Sequence, residues 1–346
     1  MIGPTNVDLS LSGEQRQLVD SFAALYARES TSQRVRAAEP SGFDARLWKT
    51  LQENGVVHMA VDEAAGGWGA SELELALIAE PFGRGVASAP VIEAQVAARL
   101  LAQCGQPGAE SLAKALAGDA LVTFMPRPGK GSRLGLVPAA AVADAVVALI
   151  DERLVLVPLS DNNRRRVENL ASMPLADIDI DDHAVVLVEG SEARSLFSDA
   201  LDLWLSLTAM ALVGAAQKAV ELGVEYAKQR HAFGRAIGTF QAVSHPLADS
   251  ATAADGARLL GLRAACSFVD EPERASELAA MAFTFAYETA RDATRRSLHI
   301  HGGYGFGMEQ DIQLYYRRAR GWAMVFGEPA TALERVADMR YGAVTT

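Results

Sequence analysis

The sequence predicts a mostly helical α+β protein with an N-terminal helical domain, a small middle β-domain and a C-terminal bundle of the four-helix type. Long alanine- and leucine-rich segments near both ends carry apolar residues at helical spacing. Short β-branched runs are concentrated between them. The expected domains are residues 1–118, 119–192 and 193–346, with the last one providing cofactor and oligomer contacts.

The bulk composition narrows the class of protein. Of the 346 residues, 50% are hydrophobic and 22% are charged, as is typical of a folded globular protein. The formal charge of −11 argues against nonspecific binding to nucleic acid or to an anionic membrane surface. Residues 1–10 lack the features of a signal peptide, and Cys104 and Cys266 have no motif spacing. We therefore expect a cytoplasmic protein with reduced thiols and no membrane-spanning segment.

The N-terminal part, from residue 8 to about residue 118, is predicted to be helical. Ser12 is a suitable N-cap for the first helix, and Phe43–Leu51 is predicted to form a second, shorter helix. Another helix is expected to begin at Ser71, because the carboxylates that follow favour the positive end of a helix dipole. Gly118 is a suitable end for the last helix of this part.

The middle part is predicted to form short strands. Runs of β-branched and apolar residues occur at Leu121–Met125, Ala145–Ile150, Leu154–Pro158 and Val185–Val188. The stretch Pro126–Gly135 is rich in turn-forming residues, so we expect it to be a loop.

The C-terminal part is predicted to be a bundle. The segment Leu196–Lys228 is apolar on nearly all sides, so this helix is expected to be buried. Two amphipathic helices of similar length, Phe240–Val269 and Glu271–Leu298, follow with short connectors, as in helix bundles. Shorter helices are expected near 309–321 and 328–340.

Two segments of the C-terminal part have a distinctive sequence. The first covers residues 226–241 and contains Arg230, Phe233 and Gln241 in the pattern Tyr-x-x-x-Arg-x-x-Phe-Gly-x-x-Ile-x-x-x-Gln. Considered alone, the start of this pattern is a basic helix end capped by glycine, and Arg230 is a surface cation. The pattern extends beyond this helix end over 16 positions, which favours a binding function for the whole segment.

The second segment is His-Ile-His-Gly-Gly-Tyr-Gly-Phe at residues 299–306. Considered alone, it is a helix-to-loop turn in which glycines adopt positive φ, and it lacks the strand-then-helix context of a dinucleotide fingerprint. His299 and His301 are two positions apart and do not share a helical face. No cysteine or aspartate pattern lies nearby, so we expect no metal site.

In this order and about 60 residues apart, the two segments resemble the acyl-CoA dehydrogenase family of flavoproteins. Residues 47–57, 61–71 and 73–84 are also similar to the helical first domain of that family, so the resemblance covers most of the chain. It implies FAD as the cofactor and α,β-dehydrogenation of an acyl-CoA thioester as the reaction.

The resemblance also implies roles for individual residues. Arg230 would meet the FAD pyrophosphate of a neighbouring subunit, since a guanidinium fork suits phosphate oxygens. Phe233 would pack on the cofactor, and Gln241 would orient its adenosine end. Gly302 and Gly303 would let the backbone approach the adenosine across the dimer interface.

The chain departs from the family at the catalytic base, a glutamate that removes the α-proton while the β-hydride goes to the flavin. In the family this glutamate precedes a glycine in the C-terminal segment or lies 29 positions before the Phe of the Phe-Gly pair. Here these positions hold Phe326 and Trp204, which do not accept a proton. Of the nearby acids, Asp202 is expected to be an N-cap or surface acid and Glu328 to lie in a first helical turn. No catalytic residue is assigned.

Two further departures concern the cofactor. His299 stands where the family usually has glutamine, which alters a hydrogen bond but leaves the backbone approach intact. Catalytic members carry Thr-Glu-Pro-x-x-Gly-Ser-Asp in the β-domain, whereas this chain has Thr-Phe-Met-Pro-Arg-Pro-Gly from Thr123 onward. A later segment of the Trp-Ile-Thr-Asn type is not visible. We therefore expect that the part of the site that holds the flavin ring in catalytic members is not preserved in this chain.

This combination resembles one subunit of the α2β2 acyl-CoA dehydrogenases of bacteria, some of which act on steroid side-chain CoA thioesters. It implies a homologous catalytic partner subunit, an acyl-CoA substrate and an electron-transfer flavoprotein as electron acceptor. Two alternatives stay open from the sequence. One is a self-sufficient homotetramer with an atypical base such as Asp202, and the other is a non-enzymatic FAD- or CoA-binding protein on the same fold.

Overall fold

The computed structural model describes residues 8–342, so predictions that concern residues 1–7 or 343–346, including most of the signal-peptide expectation, lie outside it. In the described part, helices come first, short strands follow, and long helices complete the chain. The predicted mostly helical α+β fold class is confirmed.

Six helices form the N-terminal part. They are α1 (Gly13–Glu29), α2 (Ser32–Ala38), α3 (Ala45–Glu53), α4 (Glu72–Arg84), α5 (Val91–Gln103) and α6 (Gln106–Ala117). Ser12 and Ser71 cap α1 and α4 as predicted, and each forms a reciprocal capping box with the side chain three residues later. Gly118 ends α6 in the left-handed conformation that glycine tolerates.

The middle part consists of two small sheets. Its strands are β1 (Val122–Phe124), β2 (Arg133–Val137), β3 (Ala145–Ile150), β4 (Arg153–Pro158), β5 (Arg164–Val167), β6 (Leu175–Asp179) and β7 (Val185–Glu189). One sheet has the order β1-β3-β4-β7, with a parallel β1–β3 pair, and the other has the order β2-β6-β5. Strand β3 is buried along its whole length because both of its faces are covered.

The C-terminal part is the predicted bundle. It contains α7 (Gly190–Gln229), the two-residue strands β8 (His231–Ala232) and β9 (Arg235–Ala236), α8 (Gln241–Asp270), α9 (Ala275–His301), α10 (Ile312–Met324) and α11 (Ala332–Tyr341). Helix α7 packs against α9, α8 and α4, and its first 27 residues are mostly buried. The expected burial of this helix is confirmed.

The sequence missed several short elements. Helix α2 was not predicted, because its seven residues are too few to show a helical period. The predicted loop Pro126–Gly135 is partly wrong, since β2 begins at Arg133. Strands β5 and β6 were also missed, because Arg-Arg-Arg-Val and Leu-Ala-Asp-Ile-Asp have little β-branched character.

The N-terminal part and the bundle are joined by a close helix contact that positions the pocket described below. A Cβ atom on Gly83 would collide with the carbonyl oxygen of Ala211, and one on Gly214 would collide with that of Glu80. Glycine at both places allows the backbones of α4 and α7 to approach closely. Arg258 of α8 also donates to both carboxylate oxygens of Glu80 through Nε, at 2.9 Å each.

Within residues 8–342, α7 is the helix that is long and apolar enough to cross a membrane, and 83% of its most apolar window is buried inside the protein. This burial is what is expected for the central helix of a bundle.

Candidate cofactor arm and substrate pocket

The first distinctive segment forms an arm at the end of α7, which we define as residues 230–241. The backbone N–H of Arg230 still donates to Tyr226 O at 2.8 Å, and the chain then turns back through the β8–β9 hairpin. Phe233 and Gly234 form the tip, with φ values of 53° and 79°. Two positive φ values in a two-residue turn match the twist of a tight hairpin, although such a value is unfavourable for a bulky side chain.

The strained tip directs an aromatic side chain into solvent. Phe233 is 95% exposed, and its ring meets the Phe240 ring edge-on at 6.1 Å between centroids. The Arg235 guanidinium lies 4.3 Å from the centre of the Phe240 ring, in a cation–π contact. An exposed phenylalanine in a strained turn costs free energy in an isolated chain, so this tip is suited to contact another molecule.

Arg230, the predicted phosphate ligand, is exposed at the base of the arm. Its carbonyl accepts from the N–H of Ile237 at 2.8 Å, which fixes its backbone across the hairpin. Among residues 8–342, no carboxylate lies within salt-bridge distance of Arg230 or Arg235. The arm therefore presents two guanidinium groups that are suited to an anionic ligand such as a pyrophosphate.

The structure brings the second segment against the first. The Tyr226 ring, which begins the first segment, stacks on the His301 ring with centroids 4.2 Å apart and planes inclined by 24°. His301 is buried, and its Nδ1 is paired with Ser297 O at 2.7 Å. Nowhere in residues 8–342 do three histidine, cysteine, aspartate or glutamate side chains form a group that could hold a metal ion.

The remaining candidate residues lie on the surface around this contact. Gln241 is exposed in the first turn of α8, and His299 is exposed in the last turn of α9. Gly302 has φ of 62°, and a Cβ atom added to Gly302 or Gly303 would meet no atom within 4 Å. Their backbone is therefore open to close approach by a ligand or by another chain.

The two positions that the resemblance aligns with the family's glutamate hold aromatic rings that lie close together. Trp204 of α7 is fully buried, and its ring lies 6.3 Å from that of Phe326 and 5.8 Å from that of Phe283 on α9. The Phe283 and Phe326 rings also meet edge-on at 5.5 Å. The two positions aligned with the family's glutamate thus converge in space, and both hold apolar rings that pack on one another.

The expectation that Asp202 is an N-cap or surface acid is wrong. It lies inside α7, is 3% exposed, and accepts from Arg335 Nη2 of α11 at 2.7 Å and from the hydroxyl of Ser276. Burial raises the pKa of this carboxyl, although Arg335 opposes that shift. The side chain is used to join α7 to α9 and α11. The sequence missed this role because both partners are distant in the chain.

A small cavity beside Trp204 contains two ionisable groups that the sequence analysis did not identify. It encloses about 40 Å³, and Glu93 of α5 and Arg318 of α10 are among its lining residues. Trp204 Nε1 donates to Glu93 Oε1 at 3.4 Å, and burial raises the pKa of Glu93. A lone arginine or glutamate in an amphipathic helix has no motif, so the sequence carried no signal for them.

The β-domain segment that departs from the family is used for packing. The hydroxyl of Thr123 is buried and donates to Pro138 O at 2.7 Å. The Phe124 ring, where catalytic members have glutamate, packs on Phe197 of α7 at 5.6 Å. The first contact lies within the β-domain, and the second attaches the sheet to α7 of the bundle.

The helical N-terminal part, the small β-domain, the bundle and the exposed arm define the class of FAD-dependent oxidoreductases that act on acyl-CoA thioesters. The family model described as "Acyl-CoA dehydrogenase, N-terminal domain" matches residues 12–116, and "Acyl-CoA dehydrogenase, C-terminal domain" matches residues 202–339. The chain belongs to the acyl-CoA dehydrogenase family, and FAD is the cofactor of this family.

Individual relatives match over nearly the whole chain. The Acyl-CoA dehydrogenase IpdE2 of Mycobacterium tuberculosis is 30% identical over 329 residues, which cover 93% of this chain and 96% of the relative. The structure of the steroid ACAD Tcur3481-Tcur3483 has a TM-score of 0.84 at 26% identity, covering 94% of this chain and 97% of the other. The ChsE4-ChsE5 complex from Mycobacterium tuberculosis has the same fold, with a TM-score of 0.87 at 23% identity over 98% of this chain and all of the matched chain.

Proposed function

We propose that this chain is the cofactor-clasping subunit of a heteromeric acyl-CoA dehydrogenase that catalyses α,β-dehydrogenation of an acyl-CoA thioester. In this arrangement its arm binds the pyrophosphate and adenosine half of FAD, and a homologous partner supplies the glutamate base and the flavin-ring pocket. The assembly is an α2β2 heterotetramer, and its electrons leave through an electron-transfer flavoprotein.

The observation that carries this proposal is the contact between Trp204 and Phe326. A proton can be taken from the α-carbon only by a positioned base in a dry site. At both aligned positions the chain has apolar rings, which also occupy the space next to each other. A substrate acyl group has no room there, so the partner recognises the acyl group in this arrangement.

The arm supports the proposed role of this chain in FAD binding. Exposed Arg230, the protruding Phe233 and the open backbone at Gly302 and Gly303 suit the phosphates and adenosine of a cofactor that is seated mainly in another subunit. The Tyr226–His301 stack holds the two segments together, so that they act as one surface.

The self-sufficient alternative needs a carboxylate in a pocket that admits substrate. Asp202 is paired with Arg335 and does not line the cavity beside Trp204. Glu93 does line that cavity, but about 40 Å³ holds a few waters and no acyl thioester. Neither acid is therefore placed to act as the base of a self-sufficient enzyme, which favours the heteromeric arrangement.

Three measurements test the proposal. The chain is purified alone and together with a homologous catalytic subunit, and native mass, FAD per polypeptide and acyl-CoA turnover are measured for each. We expect turnover and stable FAD only in the mixed complex. Stoichiometric FAD and turnover by the chain alone would contradict the proposal, and an inactive but well-formed complex would favour a non-enzymatic FAD- or CoA-binding protein.

The arm is tested in the same complex with Arg230→Gln. Hydrogen bonds to a charged group contribute about 1.5–3 kcal/mol, so we expect FAD affinity to fall roughly 10- to 150-fold. Arg46→Gln is the matched control, because its side chain is 80% exposed on α3 and is not part of the arm. Equal FAD affinity in both variants would contradict a role of Arg230 in cofactor binding.

A further inference from the structure

Arg318 is the group from which a second binding site can be argued. It lies on α10 with only 2% of its surface exposed, and its Nη2 donates to the hydroxyl of Ser88 at 3.1 Å. Within residues 8–342 no carboxylate lies within 4 Å of its guanidinium nitrogens, unlike neighbouring Arg317, which is paired with Glu39. A guanidinium has five N–H donors, so a single neutral acceptor leaves most of them to the cavity.

The charge on this group persists at neutral pH. Burial lowers the pKa of Arg318 to about 10, which still leaves it protonated at pH 7. A buried cation without a counter-ion is unfavourable by several kcal/mol unless an anion or water solvates it. The surroundings of Arg318 are thus built for a negatively charged occupant.

The cavity next to Arg318 supplies further polar groups. The hydroxyl oxygen of Thr208 is buried and has no hydrogen-bond partner in the described part of the chain. Glu93 also lines the cavity, and burial raises the pKa of its carboxyl. The aromatic walls of Trp204 and Trp322 limit the size of the occupant.

We propose that this cavity is a binding site for a small monocarboxylate, with its two oxygens on the guanidinium of Arg318 and one of them also accepting from the Thr208 hydroxyl. The fork of a guanidinium matches a carboxylate in two parallel hydrogen bonds. A volume of about 40 Å³ suits a small anion of the size of formate. Its lining residues lie outside the proposed cofactor arm.

The occupant would tie the three parts of the fold together. Ser88 and Glu93 come from the N-terminal part, Pro138 comes from the β-domain, and Thr208 and Arg318 come from the bundle, and all line the same cavity. Because the site is complete only when these parts are docked, binding stabilises the folded chain and raises its melting temperature.

The test is a thermal titration of the full chain with sodium formate against sodium chloride at equal ionic strength. We expect a saturable rise of about 4 °C at a formate concentration one hundred times the dissociation constant. Arg318→Met should abolish the rise, whereas Arg320→Met, two residues along the same helix and outside the cavity, should keep it. Benzoate should give no rise, because its ring does not fit.

A second variant keeps the test valid if Arg318→Met does not fold. Thr208→Val removes one hydrogen bond and is expected to weaken formate binding about fivefold without removing the charge. Two results would overturn the proposal and assign the cavity to water. One is that formate does not stabilise the unaltered chain. The other is that formate stabilises the Arg318 variant, the Thr208 variant and the unaltered chain equally.

Discussion

Replacing Trp204 by alanine tests whether this ring fills the space of a substrate pocket. The side chain is fully buried and contacts the rings of Phe283 and Phe326. Buried Trp-to-Ala changes cost about 3–5 kcal/mol, and each aromatic pair adds about 0.5–1.5 kcal/mol beyond its buried area. The variant also leaves the Glu93 carboxyl without its indole donor. We therefore expect a loss of about 4–5 kcal/mol, at the upper end of the range.

The assay is thermal unfolding of Trp204→Ala with and without added indole. At about 1.4 °C per kcal/mol for a chain of this size, the midpoint should fall by about 6–7 °C. The vacated space adjoins the cavity beside Arg318, so indole should occupy it and restore part of the lost stability. Trp68→Ala is the matched control, because its ring is half-exposed in a loop and its removal should cost about 1 kcal/mol.

Two outcomes would refute this reasoning. A fall of less than about 2 °C would mean that Trp204 is not an essential part of the core. A large fall that indole does not reverse would mean that the surroundings collapse into the space, so that no latent pocket exists.

Two further predictions concern buried or paired carboxyl groups. Asp202→Asn should leave turnover of the mixed complex within about twofold, since loss of a true base costs about 10²- to 10⁴-fold. A loss of that size with normal FAD content would restore Asp202 as a base. The backbone N–H of Leu136, together with Arg165 and Arg133, lowers the pKa of Asp177. The ionised Asp177 carboxylate therefore stabilises the fold above the usual carboxyl pKa. This stabilisation is lost as the pH falls through the lowered pKa of Asp177. Asp177→Asn should cost about 1 kcal/mol at pH 7, and this cost should shrink as the pH falls from the usual carboxyl pKa through the lowered pKa of Asp177, as measured by urea unfolding.

The sequence predicted the long elements well because each has a strong local signal. The capping serines at 12 and 71 and the all-round apolar character of α7 are features of neighbouring residues, and the structure shows them as expected. Helix α2 and strands β5 and β6 are short, and they are stabilised by contacts with distant residues. Their formation depends on tertiary packing, which a local period does not report.

The sequence likewise predicted some features of the candidate site and missed others. The arm and the glycine turn follow from motifs, but the Tyr226–His301 stack that joins them depends on the packing of α7 on α9. The absence of a base at positions 204 and 326 was implied by the family resemblance, whereas the mutual contact of the two rings was not. The sequence did not predict that Arg318 and Glu93 are site residues, because only the fold shows that they share a cavity.

The stacking of Trp204 on Phe326 constrains how this chain can evolve. A glutamate introduced at either position would be buried against the remaining ring, where a carboxylate is strongly disfavoured. A single substitution that moves the chain back toward catalytic independence therefore harms folding before it gives any activity. In the proposed heteromeric arrangement, the two packed rings therefore keep the chain dependent on the base that its partner subunit supplies.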